Sequence, residues 1–134
     1  MAFSDDENVN IGSGALRRFS GDRYLLGGDV RFTQKKLLVA AEFISVDLDA
    51  ANGIEYSPNG GHITGGYMFA ENAQLLLRWD HFSSDDLFPD SDLIILGYNL
   101  WPTQVTELQV NYIINTDDAG FDHHQLLLNA QVEW

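Results

Sequence analysis

From Tyr24 onward, apolar and polar side chains alternate in run after run along the chain. Residues 24–33 put Tyr24, Leu26, Gly28, Val30 and Phe32 on one parity and Leu25, Gly27, Asp29, Arg31 and Thr33 on the other. Residues 37–47 set Leu37, Val39, Ala41 and Phe43 against Glu42. Residues 62–69 set Ile63, Gly65, Tyr67 and Phe69 against His62, Thr64 and Gly66, and residues 74–83 set Leu75, Leu77 and Trp79 against Gln74, Arg78 and Asp80. Toward the end, Ile94, Leu96, Tyr98 and Leu100 oppose Gly97 and Asn99. Next, Leu108, Val110, Tyr112 and Ile114 oppose Glu107, Gln109 and Asn111. Last, Leu126, Leu128, Ala130, Val132 and Trp134 oppose Gln125, Asn129, Gln131 and Glu133. Side chains on a strand alternate between its two faces, so each run predicts a strand with one apolar face. A weaker eighth strand is predicted from Val9 to Phe19, where Gly12, Ser13 and Gly14 carry little pattern. No helix or linker is predicted.

The connections alternate as regularly as the strands. Thr33–Lys36, Ala70–Ala73 and Trp101–Gln104 read as short turns; Asp47–Gly61, Ser83–Asp92 and Asn115–His123 read as long, acidic loops. Tight turns at one end and longer loops at the other are the pattern of a transmembrane barrel. The runs are about 8 to 11 residues, close to the roughly 9–11 that cross a bilayer when tilted. The sequence therefore predicts an all-β fold, an antiparallel transmembrane β-barrel of about eight strands, with residues 1–134 as one domain.

Aromatic placement fits the same reading. Phe32, Phe69, Tyr98 and Trp134 lie beside the short turns or the C-terminus, and Tyr24, Phe43, Trp79 and Tyr112 lie toward the long loops. Two aromatic girdles are expected where a lipid-facing wall meets water. The opposite parity then faces inward, carrying Asp29, Arg31, Glu42, Arg78, Asp80, Glu107, Gln109, Asn111, Asn129, Gln131 and Glu133.

Composition narrows the partners. The 134 residues include 20 acids and seven basic residues, a formal charge of −13. Such a chain cannot neutralise a row of phosphates, which excludes nucleic acid and a basic lipid-binding patch. Cysteine is absent, which removes disulfides, thiolate metal sites and thiol nucleophiles. No apolar run reaches the 18 or so residues of a membrane helix. The opening Met1–Asn8 is acidic and is no signal peptide. An exported protein needs one, so the sequence is expected to be a mature form, an expressed form or a piece of a longer protein.

Three segments resemble a known family in order and spacing. They are Gly27–Phe43, Leu75–Phe82 and Leu96–Trp134, the last reading LGYNLWPTQVTELQVNYIINTDDAGFDHHQLLLNAQVEW. They are similar to the strands of the phosphate-selective porin O and P family, the last segment to its closing strands. The resemblance covers about residues 22–134 and implies a Gram-negative outer-membrane channel, commonly a trimer of sixteen-stranded barrels. This chain supplies about half those strands, so it corresponds to the C-terminal part of such a porin or to a shortened relative. Phosphate selectivity in the family relies on lumenal Lys and Arg, whereas the inward parity here offers Arg31 and Arg78 against five acids. Phosphate is therefore not carried over. Leu128, Ala130, Val132 and Trp134 resemble the terminal signal read by the outer-membrane assembly machinery, although such signals usually end in Phe. An ordinary last strand with an interfacial Trp is the other reading of those residues.

The candidate chemistry stays divided. Asp29, Arg31, Glu42, Arg78 and Asp80 form either a lumenal field that sorts ions by sign or a structural network of ion pairs. His123 and His124, near Asp117, Asp118 and Asp122, read as surface loop more readily than as a metal site. So do the loop acids Asp85, Asp86, Asp90 and Asp92, which lack EF-hand spacing. No catalytic constellation appears, and neither enzyme activity nor a cofactor or metal is expected. The leading expectation is an outer-membrane, porin-like polypeptide passing small solutes or ions, in contact with outer-membrane lipid and able to form a homo-oligomer. The alternatives are a closed eight-stranded barrel with a structural or interaction role, and a soluble all-β binding domain.

Overall fold

The computed structural model describes residues 1–9, 19–84, 90–117 and 123–133. They form one antiparallel sheet of nine strands. In chain order the strands are β1 (Ala2–Val9), β2 (Phe19–Gln34), β3 (Leu37–Ala50), β4 (Glu55–Tyr56), β5 (Asn59–Ala70), β6 (Ala73–Ser83), β7 (Ser91–Thr103), β8 (Thr106–Asn115) and β9 (Gln125–Val132). Each main strand pairs with its sequence neighbour, and the two-residue β4 pairs with the loop end of β3. Among the described residues no ladder joins β1 to β9, so the sheet is open.

Two-residue turns at Lys35–Lys36, Glu71–Asn72 and Gln104–Val105 close the hairpins β2–β3, β5–β6 and β7–β8. Lys35 adopts φ 52°, the left-handed conformation that tight hairpin turns call for. Bulges between Met68 and Ala70 and between Leu100 and Thr103 flank the second and third turns.

These turns do not fall in register. Leu37, at the start of β3, pairs with Tyr67, which lies three residues before the end of β5. The same row continues through Leu75 to Tyr98, five residues before the end of β7. If the turns share one level, the strands must lean across it. Lean and stagger of this kind accompany sheet curvature.

One expectation lies mostly outside the described residues, and those of a long first loop and of strand length need correction. The strand read over Val9–Phe19 falls mostly on residues 10–18, outside the described ones. Val9 closes β1 and Phe19 opens β2, so the acidic opening, for which no strand was expected, forms β1. The loop read over Asp47–Gly61 is mostly strand, since β3 runs on to Ala50 and pairs with β2 as far as Gly21. Alternation continues there with Asp47 and Asp49 exposed on one side and Leu48 buried on the other. Acidity above the apolar band looked like a loop. As a result β2 and β3 reach 16 and 14 residues, well past the expected length.

Candidate functional site

The sheet's two faces are unlike, and in the opposite sense to a water-soluble sheet. Along β5 and β6, exposure alternates with the apolar parity the more exposed. Leu77 is 56% exposed, Ile63 53% and Leu128 73%. By contrast Asn99, on the polar parity, is 7% exposed. Among the described residues the buried apolar side chains are Phe19, Leu48 and Ala73, too few to make a core. Withdrawing a dozen exposed side chains of this size from water is worth on the order of 20 kcal/mol, a face far larger than a monomer leaves wet.

Glycines report which way the sheet bends. On the polar face, a β-carbon at Gly66 would lie 2.8 Å from Leu76 Cδ2, and one at Gly97 would lie 2.9 Å from Asn111 Oδ1. On the apolar face Gly28 and Gly65 look into open space, while Gly61 is obstructed mainly by the Glu42 carbonyl. Side chains converge on the polar side and diverge on the other, as curvature toward the polar side produces.

The ladders arrange that polar face in rows. Asp29, Glu42, His62 and Asp80 stand directly opposite one another on β2, β3, β5 and β6. One row toward the short turns come Arg31, Ala40, Thr64, Arg78, Ile95 and Ile113. A third row, Thr33, Leu38, Gly66, Leu76, Gly97, Asn111 and Leu127, is largely small or apolar. A fourth is made of amides: Gln74, Asn99, Gln109 and Asn129. Gln131 pairs with Glu107 just beyond it, and Glu133 follows β9 with its backbone N–H donating to the Val105 carbonyl at 2.8 Å. The inward residues read from the sequence thus share one face, but they are not one cluster. Asp29, Glu42 and Asp80 lie in the same row, whereas Glu107, Gln131 and Glu133 lie near the turn end.

Contacts within the face are local. Arg78 Nε donates to Asp80 Oδ1 at 2.6 Å, with the Arg78 side chain 40% and the Asp80 side chain 22% exposed. His62 Nδ1 stands 4.0 Å from Glu42 Oε2. Gln109 Nε2 donates to Glu107 Oε1 at 2.8 Å, and Asn129 Nδ2 donates to Gln109 Oε1 at 3.2 Å. Among the described residues Asp29 and Arg31 enter no ion pair. A groove of about 640 Å³ runs over β3, β5 and β6, lined by Glu42, His62, Arg78 and Asp80 together with the apolar Ile44, Val46 and Phe82. No group of three or more His, Asp or Glu among the described residues could hold a metal ion.

The described girdle aromatics Tyr24, Phe32, Phe43, Phe69, Trp79, Tyr98 and Tyr112 share the other face, whereas Phe82 lies on the polar one. Phe69 and Tyr98 lie 6.1 Å apart at the turn end, with Phe32 at the turn end of β2. Toward the loops, Trp79 Nε1 donates to Asp92 Oδ1 at 3.1 Å, and the Tyr112 hydroxyl lies 2.7 Å from His124 Nδ1. Asp92 also receives His81 at 3.0 Å. Phe43 sits between Gly28 and Gly61, and Tyr24 pairs with Asp47 above the apolar band. Trp134 lies outside the described residues, as do Asp85, Asp86, Asp118 and Asp122. His123 and His124 precede β9 rather than lying within it.

Sequence reasoning missed His62 and the amides Gln74 and Asn99 as members of the site. Their parity was readable, but the row each occupies depends on register, which needs the pairing partners. Compared with protein-family models, curated proteins and solved structures, the chain matches none.

Proposed function

We propose that this chain is a wall segment of an outer-membrane β-barrel channel, with its apolar face against lipid and its polar face lining a water-filled path for small solutes or ions. One observation carries the reading: over the central strands β5 to β7 the greasy parity is the more exposed one, and the glycines of the polar parity, Gly66 and Gly97, are the crowded ones. In water that arrangement exposes a large apolar surface for no compensating burial, whereas in a bilayer it is the low-energy choice. Unpaired backbone at the two sheet edges is costly in hydrocarbon, so further strands, from another copy or another segment, would complete the wall.

An eight-stranded closed barrel with a filled interior is the second reading. It is favoured by the even number of strands on the main path, which lets β9 meet β1 antiparallel. The test is reconstitution in lipid vesicles and planar bilayers. A channel requires heat-modifiable gel migration together with stepwise single-channel current. Stable insertion without current favours the filled barrel, and full solubility without detergent contradicts both.

A further inference from the structure

The row Asp29, Glu42, His62, Asp80 and the adjacent Arg31 and Arg78 set three carboxylates against two guanidiniums, with an imidazole among them. Imidazole is the side chain that changes charge between about pH 5 and 8. The charged groups facing His62 are few. Glu42 on β3 stands 4.0 Å away and is 46% exposed. Asp80 lies directly opposite on β6, but its carboxylate is engaged by Arg78, which sits diagonally from His62. On its own strand, Gly60 and Thr64 carry no charge. His62 is itself 20% exposed on the rim of the 640 Å³ groove, so its charge would be felt by an ion passing along the polar face.

Resting on the channel reading above, we propose that His62 sets the ion preference of this path. With a neutral imidazole the row has one excess negative charge and favours small cations. With a protonated imidazole the row is balanced, and the preference falls to what Glu107 and Glu133 nearer the turn end sustain. A unit charge about 4 Å from an ion in water changes its local occupancy about fivefold.

Reversal potentials under a potassium chloride gradient, measured on the full chain in planar bilayers at pH 8 and pH 5, test this. The cation-to-anion permeability ratio of the unmodified protein should fall by about three- to fivefold on acidification. His62→Gln should keep the high ratio at both pH values, and His62→Lys the low ratio at both. Should one variant fail to insert, the other decides together with the unmodified protein. An equal fall in His62→Gln would assign the effect to the carboxylates and overturn the proposal, as would a ratio unchanged by pH in the unmodified protein. Insertion with no current would overturn the channel reading, and this inference with it.

Discussion

Asn111 stands directly across the β7–β8 ladder from Gly97, with its Oδ1 2.9 Å from where a β-carbon on Gly97 would lie. Leu76 closes the other side, with its Cβ 3.0 Å from the same point. Gly97→Val should therefore force the amide and the leucine apart, at a cost of about 1–3 kcal/mol. Gly65→Val, on the open apolar face, should shift stability by less than about 0.5 kcal/mol. Urea unfolding in lipid vesicles measures both. Equal effects would mean that the sheet does not curl toward its polar side.

A second prediction concerns the extension above the apolar band. Asp5, Asp22, Asp49 and Glu55 stand directly opposite one another on β1, β2, β3 and β4, all exposed. Like charges facing each other across strands destabilise a pair by a few tenths to about 1 kcal/mol. Asp22→Asn, at the centre of the row, should stabilise the sheet by about 0.5 kcal/mol, with the gain shrinking as salt rises. A salt-independent effect would remove the electrostatic explanation.

The two faces should also answer differently to a new charge. Leu77→Lys places an ammonium on the apolar face and should lower the folded, membrane-inserted fraction by about 2–4 kcal/mol if it lies near mid-bilayer. Gln109→Lys, on the polar face, should leave insertion within about 0.5 kcal/mol of the unmodified chain. The folded band in unheated gels, titrated with urea, gives both values. If Gln109→Lys were the damaging change, the face assignment would be reversed.

Period-two alternation made the strands from Tyr24 onward legible, because a pleated strand sends Leu75, Leu77 and Trp79 to one side and Gln74 and Arg78 to the other whatever its neighbours do. The ends were less legible. Asp47 and Asp49 continue β3, yet acids look like loop residues until Leu48 is seen buried beneath them. β1 was hidden for a similar reason, since its acids signal solvent and not pairing. Register was out of reach, and with it the alignment of His62 with Glu42 and Asp80 and the apolar row through Leu38 and Leu76. Alternation forbids a one-residue slip, which would turn each side chain to the wrong face, but a two-residue slip keeps the faces while exchanging every partner.

In the proposed channel wall, lipid touches the greasy parity and water the polar one. The chain has no cysteine, so single substitutions accept a nitroxide label without background. Val110 pairs with Leu128, and Gln109 pairs with Asn129 one residue away on the other face. In vesicles, labels at Val110 and Leu128 should relax strongly with dissolved oxygen and weakly with a water-soluble nickel chelate, and labels at Gln109 and Asn129 should do the reverse. Nickel reaching Val110 and Leu128 would mean that water, not lipid, covers the apolar face.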